Sequence, residues 1–301
     1  MTPQKEIGRF AKYHALGNDM LVLDPLDCPF ELTAAAARLL CDRHAGLGAD
    51  GLCYGPLNGG REPFEMRFFN PDGSQAEKSG NGLRIFGRYI WERGYAPGRR
   101  FNLAMNQETL PAWVEEPAAG RLGLLLGRLS FDAAEIPLAG RTGEFVEQPL
   151  PAGAEEVRAT AVSAGNPHCV VFVPETSAEL ARRLGPLLEA QPLFPKRTNV
   201  QFVQILDPHA IRVEIWERGA GYTLASGTSA AAAAGAAVKT GRCASPVQVH
   251  MPGGALEVAL DAAGQVSLSG AVSAVASGRL AAEFLGRLLE TGRPEFGDQG
   301  M

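Results

Sequence analysis

Apolar and polar residues alternate along many short stretches of the chain, which is typical of half-buried β-strands. The alternation is clearest in AIRVEIWE and in ALEVAL. Similar stretches predict strands in the first half over 9–14, 20–24, 50–55, 64–70, 100–106 and 122–131. In the second half they predict strands over 157–165, 168–173, 199–206, 210–217, 247–260 and 265–272.

Helical periodicity predicts four further segments, which are 33–44, 80–94, 177–190 and 278–292. A fifth helix, TSAAAAAGAAV at 228–238, carries almost no large side chain. An exposed helix would carry charges, whereas a helix of Ala and Gly allows other backbone segments to approach closely. We therefore expect it to be enclosed by a curled sheet, although an Ala-rich surface helix is the alternative. The mixture of strands and helices predicts an α/β (α+β) fold.

The two halves of the chain share a pattern. Each has a Gly-Asn pair, at 17–18 and at 165–166, followed by an apolar strand, an intervening segment and Ser-Gly before a helix. The glycine lies 62 positions before Ser79 in the first half and 61 positions before Ser226 in the second. An internal repeat of this kind predicts two similar domains related by a pseudo-twofold axis. We expect them to span 1–123 and 124–275, with 276–301 packing back onto the first.

Composition narrows the class of protein. The chain has 301 residues, of which 46% are hydrophobic and 20% charged, so it is long enough for two globular domains. Its net charge of −5 and its lack of a Lys/Arg block argue against a nucleic-acid partner. It has no apolar run as long as the ~18 residues of a membrane span. The first ten residues lack the apolar core of a signal peptide, so we expect a cytoplasmic protein.

The sequence gives no sign of a metal or cofactor. Its cysteines do not form a CxxC pair and lack the spacing of metal ligands, so we expect reduced thiols; they are Cys28, Cys41, Cys53, Cys169 and Cys243. There is no P-loop, and GLGADG at 46–51 lacks the glycine spacing of a dinucleotide-binding loop. We therefore expect no cofactor.

A serine before a helix has two interpretations. Serine is a preferred N-cap residue, which alone explains both Ser79 and Ser226. The free amides and the positive dipole of a helix start also bind anions such as a carboxylate. Two such helix starts holding one molecule would place a side chain on each face of its α-carbon. One group could then remove the α-proton while the other returns a proton from the opposite side.

Several longer motifs resemble the diaminopimelate epimerase family, whose members are PLP-independent amino-acid epimerases. The matching segments cover most of the chain, from Lys12 to about Leu280; they are KYHALGNDMLVLD, RHAGLGADGL, FFNPDGSQAEKSGNGLR, AGNPHCVVF, RTNVQFV and WERGAGYTLASGTSAAAA. The resemblance implies two similar α/β domains, each a curled, mostly antiparallel sheet around a central helix. It also implies a homodimer and a zwitterionic amino-acid substrate, such as L,L-diaminopimelate converted to the meso form.

The resemblance also assigns roles to residues. Ser79 and Ser226 stand at the positions of the catalytic acid and base. Polar groups that match substrate-binding positions are Asn18, Asn70, Asn166, Asn199, Glu217 and Arg218. The helix-start residues that match the carboxylate cradle are Gly80, Asn81, Gly227 and Thr228, and His168 matches a supporting histidine. The bland alternatives are that the two Gly-Asn asparagines are turn residues and that Glu217 and Arg218 are a solvated pair.

The chain differs from the family at the two positions that carry the catalytic acid and base. The family has cysteine at both catalytic positions, and here both are serine. A thiol has a reference pKa of about 8.5, lower still at a helix start, whereas a serine hydroxyl needs a second base to activate it. His168 is the only obvious candidate for that base. Tyr222 replaces a family glutamate and Ser229 a family glycine, which favours natural divergence over exchange of the two cysteines alone.

Three functions remain open from the sequence. The chain could be an amino-acid epimerase that uses serine hydroxyls, a one-base isomerase or dehydratase on the same fold, or an amino-acid-binding paralogue without catalysis. The asparagines, Glu217 and Arg218 predict binding of a small zwitterion under all three. A serine hydrolase is disfavoured because neither serine lies in a G-x-S-x-G motif.

Overall fold

The computed structural model describes residues 5–75, 79–118 and 120–291. The chain divides into two compact units, each of which contains strands and helices. Unit 1 comprises the described residues of Met1–Gly120 and Val272–Met301, and unit 2 those of Arg121–Ala271. The predicted α/β class is therefore confirmed. The predicted division at 123 and 275 stays a prediction, and residues 292–301 of the predicted C-terminal segment lie outside the described residues.

Unit 1 has sheets flanked by three helices among its described residues. Its elements are β1 (Arg9–Ala15), β2 (Asn18–Leu23), α1 (Ala34–Cys41), β3 (Gly51–Tyr54), β4 (Phe64–Glu65), β5 (Arg67–Phe69), α2 (Gly80–Glu92), β6 (Arg100–Met105), β7 (Glu108–Glu116) and, from the end of the chain, β18 (Ser273–Arg279) and α5 (Ala282–Glu290). One sheet has the order β18-β1-β2-β3-β5. Strand β6 pairs with β4 in parallel and with β7 antiparallel.

Unit 2 is built on one long mixed sheet. Its elements are β8 (Arg121–Arg128), β9 (Gln148–Ala152), β10 (Glu155–Ser163), β11 (Pro167–Phe172), α3 (Ala178–Glu189), β12 (Asn199–Asp207), β13 (Ala210–Glu217), β14 (Gly221–Thr223), α4 (Gly227–Lys239), β15 (Val247–Met251), β16 (Gly254–Leu260) and β17 (Gln265–Ala271). The strand order is β8-β17-β16-β15-β13-β12-β11-β10-β9, and β14 pairs with β13.

The internal repeat is visible in the topology of each unit. In unit 1, β2 leads through α1 to the parallel strand β3, then to the antiparallel strand β5 and to α2. In unit 2, β11 leads through α3 to the parallel strand β12, then to the antiparallel strand β13 and to α4. Each unit therefore brings a Gly-Asn pair, the start of a parallel strand and the end of an antiparallel strand to the same end of its sheet.

The Ala-rich helix α4 is buried, as predicted. Residues 230–234 and 236–237 are fully inaccessible to solvent, and α4 contacts strands β10 to β13 and β15 to β17. A Cβ on Gly235 would lie 2.3 Å from Leu129 Cδ1, so no larger residue fits there without a shift. The small side chains are therefore explained by the sheet that surrounds the helix.

The C-terminal helix α5 belongs to the core of unit 1. Leu280 and Leu288 are buried in the same apolar cluster as Leu21, Leu40 and Leu52. The cluster contains residues of β2, α1 and β3, so the apolar side of α5 packs against these elements.

Several predicted strands differ from those observed. The single strand expected over 247–260 is the hairpin β15–β16, which turns between Met251 and Gly254. The strand expected over 64–70 is divided into β4 and β5. Strands β7, β9, β14 and β18 were not predicted. Prolines interrupt β7 and β9, and β18 consists largely of small residues, so none of them shows a strong strand signal.

Candidate active site

The start of α2 in unit 1 is closed by Ser79. This residue has an extended backbone, with φ −141° and ψ 106°, and its Oγ accepts a hydrogen bond of 3.1 Å from the amide of Gly82. Gly80 begins the helix and Asn81 follows it. Ser79 is therefore an N-cap residue, and its hydroxyl donates no hydrogen bond to a residue that the structure describes.

Asn81 links the helix start to the Gly-Asn pair of unit 1. Its Nδ2 lies 3.5 Å from Asn18 Oδ1, at the limit of a hydrogen bond, and its Oδ1 accepts a bond of 2.6 Å from buried Arg84. Asn18 Nδ2 in turn lies 3.3 Å from Asp50 Oδ2. The structure thus brings two predicted binding residues, Asn18 and Asn81, into contact.

A charged cluster supports the start of β2 beside Asn18. Arg43 bonds both Asp19 and Asp50, and Lys12 bonds Asp19 at 2.8 Å. Burial alone would raise the pKa of Asp19, but the hydrogen bonds from Arg43 and Lys12 outweigh it and hold the pKa well below its usual range. Asp19 therefore stays ionised at neutral pH, and its bonds hold the starts of β2 and β3 together.

Asn70 holds the tight turn NPDGS at 70–74. Its amide donates to the carbonyl of Ser74, its carbonyl accepts from Gly73, and its Nδ2 donates to Ser74 Oγ at 3.0 Å. Asn70 directly follows β5 at the same end of the sheet as Asn18. Within the described part of the chain, Asn70 makes no hydrogen bond to the other predicted site residues.

The start of α4 in unit 2 differs from that of α2. Ser226 has nearly the same backbone, with φ −148° and ψ 130°, but its side chain caps no amide of the helix. Its Oγ lies 3.5 Å from Thr228 Oγ1. Gly227 and Ser229 are buried, whereas Thr228 is partly exposed. The two serines therefore begin helices of equal length with different hydrogen-bond roles.

Asn199 and Arg218 are brought together because β12 begins where the antiparallel strand β13 ends. Asn199 Oδ1 accepts from the amide of Arg218 at 3.0 Å, and its Nδ2 donates to the carbonyl of Pro167 at 3.1 Å. The Arg218 guanidinium donates to the carbonyl of Lys196. Glu217 accepts a bond of 3.2 Å from Thr223 across the β13–β14 hairpin. Glu217 is half-buried, whereas Arg218 is exposed, so a solvated Arg218 side chain stays an alternative to the binding role.

His168 is fully buried beside Asn166, and its Nε2 lies 2.8 Å from Asn166 Oδ1. Burial lowers the pKa of His168 to about 3; the Gln201 side chain beside the ring partly opposes this effect, and the charge of Arg218 adds to it. The ring is therefore neutral at physiological pH and is a weak base. A base of this strength does not activate a serine hydroxyl, which weakens the expectation that His168 serves that purpose.

Glu189 is a supporting residue that the sequence did not reveal. It is buried at the end of α3, and it accepts bonds from Trp216 Nε1 at 2.7 Å and from the amide of Gly219 at 3.1 Å. These two residues flank Glu217 and Arg218. One signal was present in the sequence, because an acidic residue in the last turn of a helix opposes the helix dipole and needs another reason to be there.

Tyr222, which replaces a family glutamate, is held by other residues of unit 2. Its hydroxyl donates to Glu214 at 2.6 Å, and the Arg182 guanidinium lies 4.2 Å from its ring centre. Burial, with the bond to Glu214 and its charge, raises the pKa of Tyr222 to about 12. Tyr222 is thus a neutral packing residue of the β14 strand, and it supplies no acid or base.

None of the cysteines replaces the missing thiolates. Burial is the main cause that raises the pKa of Cys41 to about 11, and of Cys28 and Cys169 to about 12. Burial also raises the pKa of Cys53 and of Cys243. All five are free thiols that stay protonated at neutral pH. The described residues contain no cluster of potential metal ligands, and their helices are too short or too polar to cross a membrane.

Comparison with known proteins gives consistent matches. The sequence model of the family described as diaminopimelate epimerase matches residues 10–120 and 160–275. Diaminopimelate epimerase 2 of Nostoc sp. is 44% identical over 91% of this chain and 96% of its own length. Diaminopimelate epimerase of Pelotomaculum thermopropionicum is 40% identical over 89% of this chain and 97% of its own length.

Solved structures with lower identity share the fold. A hydroxyproline epimerase from Agrobacterium vitis has a TM-score of 0.63 at 14% identity and covers 93% of this chain and 94% of its own. A methylitaconate-delta-isomerase has a TM-score of 0.63 at 13% identity, over 95% and 98% of the two chains. Together with the family model and the relatives along nine-tenths of the sequence, these findings establish that the chain belongs to the diaminopimelate epimerase family.

Proposed function

We propose that this chain is a PLP-independent amino-acid epimerase that inverts an α-carbon by proton transfer, with L,L-diaminopimelate or a related amino acid as substrate. The observation that carries the proposal is the repeated helix start, at which a serine precedes amides that lack an intrahelical partner. Polar side chains held at the same end of the sheet accompany each start. A site of this composition suits a small zwitterion and needs no cofactor.

Each part of the substrate has a complementary group. The helix-start residues Gly80 and Asn81 in unit 1, and Gly227 and Thr228 in unit 2, offer amides that stabilise a carboxylate. Arg218 supplies a positive charge for a carboxylate, and Glu217 a negative charge for an ammonium group. The remaining contacts would come from side-chain amides; these are Asn18, Asn70, Asn166 and Asn199.

Ser79 and Ser226 are the proposed proton-transfer groups. In each direction, one serine must enter as the alkoxide, its proton having passed to solvent, and take the α-proton, while the other serine, as the neutral hydroxyl, gives its proton to the opposite face. The substrate loses and gains one proton, and the two serines exchange protonation states. A serine hydroxyl is a poorer base than a thiolate, and a matched acid or base contributes roughly 10²–10⁴-fold to a rate. We therefore expect slow turnover, and Ser79→Cys with Ser226→Cys should raise it.

The test is conversion of L,L-diaminopimelate by the purified protein, followed by chiral chromatography, with binding measured in parallel by calorimetry. Formation of the meso isomer, lost in Ser226→Ala, supports the proposal. Binding without conversion in the serine protein, and without gain in the double cysteine variant, would instead identify an amino-acid-binding paralogue.

A second candidate is a one-base isomerase or dehydratase on the same fold. The observation that favours it is the difference between the serines, because Ser79 Oγ accepts a helix amide whereas Ser226 Oγ does not. A hydroxyl oxygen that already accepts a hydrogen bond is less basic. Exchange of the α-proton without inversion would identify this class.

We also propose a cytoplasmic homodimer. The dimer is inferred from the family resemblance, and the cytoplasmic location fits five cysteines that form no disulfide. Light scattering after gel filtration should give twice the chain mass of 31.9 kDa. Cell fractionation should place the protein in the soluble fraction of the cytoplasm.

A further inference from the structure

A buried polar cluster lies beside the start of α4. His168, Gln201 and Ser229 are each fully inaccessible to solvent. Gln201 Nε2 lies 3.0 Å from Ser229 Oγ, and Gln201 lies on the same face of the paired strands β11 and β12 as His168. Nevertheless, Gln201 Oε1 and His168 Nδ1 have no hydrogen-bond partner among the described residues. Native proteins seldom leave buried polar atoms unpaired, so these two need an explanation.

With Asn166 oriented as in the structure, its contact with His168 implies which nitrogen of the ring carries the proton. Asn166 Oδ1 can only accept, and it lies 2.8 Å from His168 Nε2, so Nε2 carries the hydrogen. Since the ring is neutral, Nδ1 then has a lone pair and can only accept. Gln201 Oε1 is also an acceptor, which is why the two neighbouring atoms do not bond.

Reversing the side-chain amide of Gln201 satisfies both atoms. The oxygen and nitrogen of a carboxamide occupy nearly the same volume, so the reversal costs no packing. Nε2 then donates to His168 Nδ1, and Oε1 accepts from the hydroxyl of Ser229. The hydrogen bonds form one chain in which every donor points the same way, from Ser229 through Gln201 and His168 to Asn166.

The opposite chain would require Asn166 to reverse instead. His168 would then carry its proton on Nδ1 and donate to Gln201, and Gln201 would donate to Ser229. In that arrangement the buried Ser229 hydroxyl accepts, but its own hydrogen has no acceptor among the described residues. The first chain leaves fewer buried donors unpaired, and it is the one favoured on these grounds.

We propose that Ser229, Gln201 and His168 form a directed hydrogen-bond chain that turns the N–H₂ group of Asn166 outward, towards a carboxylate group of the substrate. The assignment to a substrate carboxylate rests on the proposed function. With its Oδ1 directed at His168, Asn166 presents its N–H₂ donors outward, which suit a carboxylate better than an ammonium group. Ser229, Gln201 and His168 are positioning residues, since they act through Asn166.

Ser229 supplies the hydroxyl from which this direction of the hydrogen-bond chain begins. It stands where the family resemblance implies a glycine, and a glycine has no hydroxyl to donate to Gln201. Having serine in place of the family glycine at position 229 therefore orients the Asn166 amide, through Gln201 and His168.

The direct test of the hydrogen-bond chain is NMR of the free protein labelled with ¹⁵N-histidine. Long-range ¹H–¹⁵N correlations distinguish the two tautomers, and His168→Gln identifies the signal of His168. A proton on Nε2 with a bare, hydrogen-bonded Nδ1 is expected near neutral pH. A proton on Nδ1 would overturn the proposal. The measurement needs no variant to remain active and no substrate, so it stands whether or not the protein is an epimerase.

The carboxylate assignment is tested by calorimetry with L,L-diaminopimelate. Asn166→Asp keeps an oxygen for His168 but replaces the outward N–H₂ by a negatively charged oxygen. We expect binding to weaken by more than roughly tenfold, because a charge-assisted bond becomes a repulsion. Unchanged or tighter binding would mean that Asn166 faces an ammonium group. Absence of binding by the unaltered protein would sink both the proposed function and the carboxylate assignment, while the NMR result would still decide the chain.

The role of Ser229 is tested by Ser229→Ala, with Ser269→Ala as the matched control. Ser269 is a buried serine of β17 in the same unit, bonded by Arg121. Ser229→Ala should shift the His168 signal towards a mixture of tautomers and weaken binding by roughly three- to tenfold. The control should leave the His168 tautomer unchanged. A pure Nε2–H tautomer in Ser229→Ala would show that Ser229 does not orient the chain.

Discussion

Ser79 and Ser226 allow the structural and catalytic roles of a helix-start serine to be separated. Both precede helices of 13 residues, and their backbone angles differ by less than 30°. Only Ser79 caps its helix, through the bond of 3.1 Å from the amide of Gly82. Ser79→Ala therefore removes a cap and a proposed proton-transfer group, whereas Ser226→Ala removes only the latter.

The expected loss of stability in Ser79→Ala follows from the loss of the helix cap. Replacing a serine cap by alanine lowers the free energy of unfolding by about 1 kcal/mol, within a range of about 0.5–2 kcal/mol. Ser226 makes no such bond, and its hydroxyl has only a long contact with Thr228, so Ser226→Ala should change the free energy by less than about 0.5 kcal/mol. For a unit of about 150 residues, 1 kcal/mol corresponds to a shift of about 2–4 °C in Tm.

Differential scanning calorimetry of the three proteins measures this difference directly. We expect Tm to fall by a few degrees in Ser79→Ala and to stay within about 1 °C in Ser226→Ala. Both variants should lose epimerisation. Equal losses of Tm would refute the reasoning, because they would mean that the cap of α2 contributes no more than the uncapped hydroxyl of Ser226.

Three further predictions concern the supporting structure. Glu189→Gln should lower Tm near pH 7, and the difference in Tm should shrink as pH falls below about 4.5. The reason is that bonds within unit 2 hold the pKa of Glu189 below its usual value despite burial, so its stabilisation is lost on protonation. A constant difference in Tm from pH 7 to pH 3 would contradict this. Thiol titration near neutral pH should detect no fast-reacting cysteine in the native protein and one in Ser226→Cys. The reason is that all five native thiols have raised pKa values, whereas a helix start lowers the pKa of a new cysteine thiol. Fast reaction of the unaltered protein would contradict this prediction. Gly185→Ala should lower the free energy of unfolding by about 1–3 kcal/mol, because the new Cβ would lie 2.5 Å from Trp216. The control Gly286→Ala, with open space around it, should be neutral or slightly stabilising. Equal effects of the two variants in urea unfolding would overturn the packing argument.

The sequence predicted the features that depend on local pattern. The spacing between the Gly-Asn pairs and the serines indicated a repeat, and the two units show the same order of strand, helix, parallel strand, antiparallel strand and helix. The Ala-rich composition of α4 indicated a buried helix because only small side chains allow a sheet to close around it.

The sequence could not predict contacts between residues far apart in the chain. Glu189 bonds Gly219 and Gln201 approaches His168 only because α3 and β12 fold against β13 and β11. For the same reason His168 appeared to be a usable base, whereas complete burial makes it a weak one. Propensity also failed at β9, where prolines are tolerated because this strand lies at the edge of the sheet.

The central claim is that two serine hydroxyls exchange the α-proton of an amino acid. It is tested most directly by incubating the protein with L,L- and with meso-diaminopimelate in D₂O and following the α-proton by NMR. We expect exchange with inversion in the unaltered protein and neither process in Ser79→Ala or Ser226→Ala. Exchange that survives in both variants, or no exchange with either isomer while the double cysteine variant is active, would contradict the claim that the serines carry the reaction.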